Sequence, residues 1–301
     1  MSQIKIFDDK YRYFIPGSST LEKIFSGSRW GEGPVYFPAG DFILWSDIPN
    51  NRMLRWAEGL GSGIFRLPAN YSNGNTRDLQ GRLISCEHGT RRVTRTEHNG
   101  KITVLVDNYQ GNKLNSPNDV VVTSNNSIWF TDPPYGILTD YEGHKAESQL
   151  KGNFVFHLNP DSGKLTVVAD DFNRPNGLAF SPDEKLVYIT DTGTSDIDSG
   201  PPHIRVFEVS EQGTLLNGKV FRSMKGKPAD GLRVDSDGNI WTSAGASVEC
   251  YSPSGNIILT IPVPERVSNL TFGGPKRNRL FITATTSLYA LYVGQNGIEY
   301  H

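Results

Sequence analysis

The chain has 301 residues, a formal net charge of −2, 21% charged residues and 11% aromatic residues, a globular composition with room for a large core. The near-neutral balance gives no basic field of the kind that marks a nucleic-acid partner. Two cysteines, Cys86 and Cys250, exclude a disulfide framework while allowing a single bridge, and no stretch approaches the length of a transmembrane helix.

Along the chain, residues 1–19 carry Lys5, Asp8, Asp9, Lys10 and Arg12 with no apolar run behind them. No signal peptide is expected there, so the default location is the cytoplasm. These residues read as an N-terminal extension to one domain over 20–301. The run LEKIF (21–25) is β-prone, and a repeat begins after it. Its six copies are WGEGPVYFPAGDFILWSD (30–47), SNGNTRDLQGRLISCEH (72–88), SPNDVVVTSNNSIWFTD (116–132), RPNGLAFSPDEKLVYITD (174–191), PADGLRVDSDGNIWTS (228–243) and VSNLTFGGPKRNRLFITA (267–284). Each opens on a polar head residue, runs through a short strand and a turn, and closes on an apolar, aromatic strand. A third strand follows each copy: RMLRWA (52–57), RRVTRTE (91–97), NFVFHLN (153–159), HIRVFEVS (203–210), SVECYSP (247–253) and SLYALYV (287–293). A fourth precedes the next head: GIFRLP (63–68), ITVLV (102–106), LTVVA (165–169), KVFRSM (219–224) and IILTIP (257–262).

Six units of four antiparallel strands, with no helical periodicity, predict an all-β, six-bladed β-propeller. A β-sandwich would use similar strands but would not require six equivalent polar heads. The last unit lacks its outer strand, and the run 21–25 is expected to supply it, closing the ring and covering a sheet edge.

The heads are Glu32, Asn73, Asn118, Asn176, Asp230 and Asn269, spaced 41, 45, 58, 54 and 39 residues apart. In a propeller the first strand of each blade lines the channel, so the heads gather at one channel mouth, and the loops leaving the second strands emerge at the same end. The two long spacings place extended loops on that face, at 133–152 and 192–203, where substrate recognition is expected. Glu32 and Asp230 bring carboxylates and Asn118 and Asn176 bring amide oxygens. That donor set suits one hard divalent cation, Ca²⁺ first and Mg²⁺ or Mn²⁺ next. The alternative is that polar heads cap strand ends and hold channel water. Asn73 and Asn269 are expected to hold water or touch substrate rather than ligate. His88 stands where it could orient substrate or relay a proton, or it is simply hydrogen-bonded at the rim. Asp132 and Asp191 end their strands as turn caps or as functional acids. Asp119 could orient the amide of its neighbour Asn118, and Tyr135 could stack on a sugar ring. No G-x-S-x-G elbow, dinucleotide fingerprint or Cys/His zinc cluster is present.

These residues resemble the gluconolactonase, regucalcin (senescence marker protein) and diisopropyl-fluorophosphatase-like superfamily of six-bladed propellers. The marks are EGP at Glu32, SPNDVV at Asn118, RPNGLAFSPD at Asn176 and DG at Asp230. GRLISCEHGTRRVTRTE (81–97) and WFTDPPYG are similar to its bacterial gluconolactonase branch. The resemblance implies a Ca²⁺-like ion, with Zn²⁺ or Mn²⁺ in some relatives, at Glu32, Asn118, Asn176 and Asp230. It also implies hydrolysis of a sugar lactone such as glucono-1,5-lactone, with no membrane or nucleic acid as partner. Regucalcin-type members carry Arg at the place of Ser116, and Lys113 and Asn115 are the candidate replacements for substrate contact. Lactone opening needs a polarised carbonyl and a delivered water, with Asp230 as general base or as direct nucleophile. A phosphotriesterase-like hydrolase and a non-catalytic calcium-binding propeller are the competing readings.

Overall fold

The computed structural model describes residues 3–193, 202–224 and 226–298. The described chain forms six antiparallel sheets arranged as the blades of a propeller. Blade 1 is built from Gly31–Phe37, Phe42–Asp47, Arg52–Ala57 and Gly61–Arg66. The next four run in the same order, from the channel outward. Blade 2 starts at Ser72–Arg77, blade 3 at Val120–Val122, blade 4 at Pro175–Phe180 and blade 5 at Leu232–Val234. Blade 6 takes Val267–Gly273, Arg279–Ala284 and Ser287–Tyr292 from the end of the chain and Glu22–Ser26 from its beginning. The expected ring closure is therefore present.

The second strands read as continuous apolar runs because both their faces are covered by neighbouring blades, which removes the usual alternation. Trp45, Tyr188 and Trp241 on these strands are fully buried, each contributing roughly 1.5–3 kcal/mol of apolar burial. Cys86 and Cys250 are buried and unbridged, on blades 2 and 5.

Residues before Leu21 hold more structure than their composition suggests. Lys5–Ile6 pairs with Ile257–Pro262 and gives blade 5 a fifth strand. Asp9–Phe14 forms a 3₁₀ turn that buries Phe14 against Trp241, with ring centroids 6.1 Å apart. A two-residue-per-strand hairpin at Asn108–Tyr109 and Asn112–Lys113 and a one-turn helix at Tyr135–Leu138 also depart from the repeat. Among the described residues no helix is long and apolar enough to cross a membrane.

The ladder is irregular at or beside each head. Ladder register breaks between Glu32 and Val35, Ser72 and Asn75, Pro175 and Leu178, and Val267 and Asn269. In blades 3 and 5 the paired strand starts only after the head. An irregularity at that place lets a side chain leave the sheet face and turn toward the axis.

The heads are also joined to one another through their main chain. Ser46 Oγ donates to the Asn73 carbonyl, 2.7 Å away. Gly74 N–H donates to the Asn118 carbonyl and Thr131 Oγ1 to that of Asn176. Gly177 N–H and Thr190 Oγ1 share the Asp230 carbonyl. Gly231 N–H reaches Ser268, whose hydroxyl donates to Gly31. All six blade junctions are thus bridged at the level of the heads. Between blades 4 and 5 the approach requires glycine after the head, since a Cβ on Gly177 would stand 2.4 Å from the Asp230 carbonyl oxygen.

Candidate active site

Glu32, Asn73, Asn118, Asn176 and Asp230 line one cavity of ≈ 320 Å³ at the head end of the channel. Trp30, Tyr135, Glu142, Arg174, Thr192, Pro228 and Arg266 complete its wall. The four residues expected to supply cation ligands are therefore brought together, and Asn73 joins them.

The carboxylates are placed at a cost. Glu32 is buried; its Oε2 accepts the Gly33 N–H at 2.7 Å and the Asn269 amide at 3.1 Å. Burial and then the nearby Asp230 push its carboxyl well above the usual range. Burial likewise lifts Asp230 to about 7, with Arg266 opposing the rise and Glu142 and Asp119 adding to it. Two carboxyls that hinder each other's ionisation in a buried site need a positive partner. Asn73 Oδ1 is buried there with no hydrogen-bond partner. Among the described residues no three His, Cys, Asp or Glu side chains cluster as a metal site. The donors available are two carboxylates and several amide oxygens, the chemistry of a hard-cation site. The residues present fit such an ion.

Asn269 does not line the cavity. Its Oδ1 accepts the Leu270 N–H while its Nδ2 holds Glu32, so it orients a carboxylate. His88 also lies behind the wall, 1% exposed, with its ring between two partners. Nδ1 faces the Glu142 carbonyl at 3.1 Å and must carry the proton, because a carbonyl can only accept. Nε2, 3.2 Å from Asn73 Nδ2, then accepts from that amide, which turns Asn73 Oδ1 toward the cavity. Desolvation lowers the His88 pKa to about 4, so the ring is neutral.

Asn115 is placed away from the cavity. Its side chain bonds the Asp132 and Gly152 carbonyls, Asn153 Oδ1 and Ser148 Oγ, fastening the ends of the 133–152 loop. Ser116 Oγ bonds Pro133 O and Gly136 N on the same loop. Lys113 lies on the exposed hairpin. Asp119 does not orient the Asn118 amide. It accepts the Val120 N–H and pairs with Arg233 at 3.4 Å, deeper in the channel.

The acids that close second strands are turn caps. Asp47 accepts the Arg29 N–H, Asp132 that of Asn115, and Asp191 those of Asn173 and Arg174. Each thus fixes the segment that enters its own blade's head. Tyr135 does reach the cavity. Its hydroxyl is 2.5 Å from Thr192 Oγ1, and the Arg174 guanidinium lies 5.4 Å from its ring centroid. Of the long loop 192–203, residues 194–201 lie outside those described.

Sequence reasoning missed Trp30, Glu142, Arg174, Pro228 and Arg266. Trp30, Arg174 and Pro228 each sit two residues before a head. The repeat register itself could have identified that position as the cavity rim.

The sequence matches the SMP-30/gluconolactonase/LRE-like family over residues 30–286. A gluconolactonase from Zymomonas mobilis is 32% identical, over 95% of this chain and 84% of its own length. A pentonolactonase from Haloferax volcanii is 26% identical, over 85% of this chain and 81% of its own. Among solved structures, a gluconolactonase from Xanthomonas campestris superposes with a TM-score of 0.91 at 35% identity, covering 97% of this chain and 95% of that one. A calcium-binding regucalcin from Agrobacterium tumefaciens, at 20% identity and a TM-score of 0.74, shares the fold.

Proposed function

Because this chain belongs to the SMP-30/gluconolactonase/LRE-like family, we propose that it is a lactonase that opens a sugar lactone of the glucono-1,5-lactone kind with the aid of one divalent cation. Lactone hydrolysis is supported by relatives that bear the names gluconolactonase and pentonolactonase. The observation that carries the finer reading is the meeting of Glu32, Asn118, Asn176 and Asp230 in one cavity, with two buried carboxyls that disfavour each other's charge. These four residues would hold the cation, Ca²⁺ being the first candidate. When bound it supplies Lewis acidity at the carbonyl oxygen and charge to balance the carboxylates.

The chain's own groups do the rest. The Asp230 carboxylate takes a proton from the attacking water. Asn176 lies beside Asp230 and favours its carboxylate form. Asn269 holds Glu32 in place. Asn73 offers Oδ1 to a substrate hydroxyl or an ordered water, and Tyr135, Arg174 and Trp30 give the cavity polar and aromatic walls for a sugar ring. Assay of the purified protein on glucono-1,5-lactone, with and without chelator, tests both parts. Activity that survives complete removal of divalent cations would refute the cation requirement, and absence of lactone turnover in every condition would refute the substrate class.

A further inference from the structure

We propose that Glu142 is the proton donor to the ring oxygen that leaves when the lactone opens. The proposal rests on the lactonase reading above. Hydrolysis there involves two proton transfers: the attacking water loses a proton, and the ring oxygen, otherwise expelled as an alkoxide, gains one. Asp230 serves the first transfer. The cavity wall offers few groups for the second. A guanidinium is not a general acid near neutral pH, which excludes the arginines of the wall. His88 is behind the wall with both ring nitrogens engaged. The Tyr135 hydroxyl is bonded to Thr192, and burial raises its pKa further.

Glu142 differs from all of these. It reaches the cavity from the 133–152 loop, whereas Glu32 and Asp230 come from the heads. None of the hydrogen bonds found among the described residues engages its carboxyl, although its main chain is fixed. His88 holds its carbonyl, His144 N–H donates to Gly136 O at 3.1 Å, and Ala146 N–H donates to Ile137 O at 3.0 Å. The turn is tight, since a Cβ on Gly143 would meet the Gly136 carbonyl oxygen at 2.2 Å. An immobilised backbone with an uncommitted acid is the arrangement a proton donor needs. The other titratable groups lining its cavity are Asp230, Glu32, Arg174, Arg266 and Tyr135. Burial raises its carboxyl to about 7, a shift toward the protonated form that a donor needs.

The atoms balance without another reactant. The water oxygen bonds the carbonyl carbon as its proton passes to Asp230. The carbon–ring oxygen bond then breaks as the Glu142 proton passes to that oxygen, leaving a hydroxyl. Glu142 ends as carboxylate and Asp230 as acid, and exchange with solvent restores both.

The test compares wild type with Glu142→Gln and Glu142→Asp on glucono-1,5-lactone at saturating Ca²⁺, across pH, with spontaneous hydrolysis subtracted. The Gln variant is expected to lose on the order of 10²–10⁴ in kcat with KM little changed. It should also lose the alkaline limb, the fall in rate as pH rises through the Glu142 pKa. The Asp variant, which keeps an acid, should retain that limb and part of the rate. Unchanged kcat, a rise in KM alone, or a limb that persists in the Gln variant overturns the proposal. Thermal midpoints identify any loss of fold, in which case the pH profile of the Asp variant decides. Inactive wild type would instead remove the lactonase reading itself.

Discussion

The neutral, doubly bonded His88 makes a quantitative statement about acid stability. Its folded pKa is about 4 against an ordinary 6.5, because desolvation disfavours the charged ring. Above the ordinary value the ring is neutral in both folded and unfolded chains and contributes no pH dependence. As the pH falls through 6.5 the unfolded chain gains a proton that the folded chain refuses, so stability is lost. The loss continues until the folded ring also protonates near 4. Between about pH 7 and about pH 4.5 this one group should remove roughly 2.5 kcal/mol. His88→Gln deletes that term, although losing the imidazole should cost the folded state about 1–3 kcal/mol at neutral pH. Urea unfolding of both proteins at the two pH values isolates the effect, because the carboxylates common to both cancel. The gap between wild type and variant should shrink by roughly 2.5 kcal/mol on acidification. A gap that stays constant would mean that His88 is solvated or charged, and the tautomer assigned to it would fall.

Three further outcomes follow from the site and its frame. Asp230→Asn should lower kcat by about 10²–10⁴ and stay slow in excess Ca²⁺, whereas excess Ca²⁺ should partly restore Glu32→Gln; full restoration of the Asp230 variant would make that residue a ligand alone. Gly177→Ala, whose Cβ would press on the Asp230 carbonyl at 2.4 Å, should destabilise by about 1–3 kcal/mol and slow turnover as Asp230 shifts. A variant with wild-type rate and urea midpoint would refute the close approach. Phe14→Ala should cost roughly 3–5 kcal/mol at the blade 5 and 6 junction and alter Trp241 fluorescence, and an unchanged thermal midpoint and spectrum would show that the extension contributes nothing there.

The blades were legible because each carries the same two signals, a polar head and a doubly buried second strand, aromatic in most blades. Several third and fourth strands, such as Arg52–Ala57, Ile102–Val106 and Ile257–Pro262, fall where their β-prone runs stand. Lys5–Ile6 gave no such signal, since two residues have no periodicity and pair only because the edge of blade 5 accepts them. The heads Glu32, Asn118, Asn176 and Asp230 were legible from repeat position alone. Glu142 was not, because it belongs to a loop with no counterpart in the other blades. The roles of Asn115, Asp132 and Asp191 were ambiguous for a physical reason. A side chain that caps the turn into a head and one that touches substrate are both polar and lie within a few residues of each other. Only the hydrogen bonds separate them.

The junctions between blades are bridged by head carbonyls and the residues beside them, and a head side chain adds to this at blades 6 and 1, where Asn269 holds Glu32. Elsewhere, what a head projects into the channel is therefore decoupled from what keeps the ring assembled. Exchanging an amide for a carboxylate at Asn118 or Asn73 alters the axial chemistry while the peptide links to Gly74 and Ser46 remain available. Positions 73 and 118 thus act as sockets on a common rim. A designer could recompose the donor set one socket at a time, for another ion or another electrophile, without redesigning the wheel that carries it.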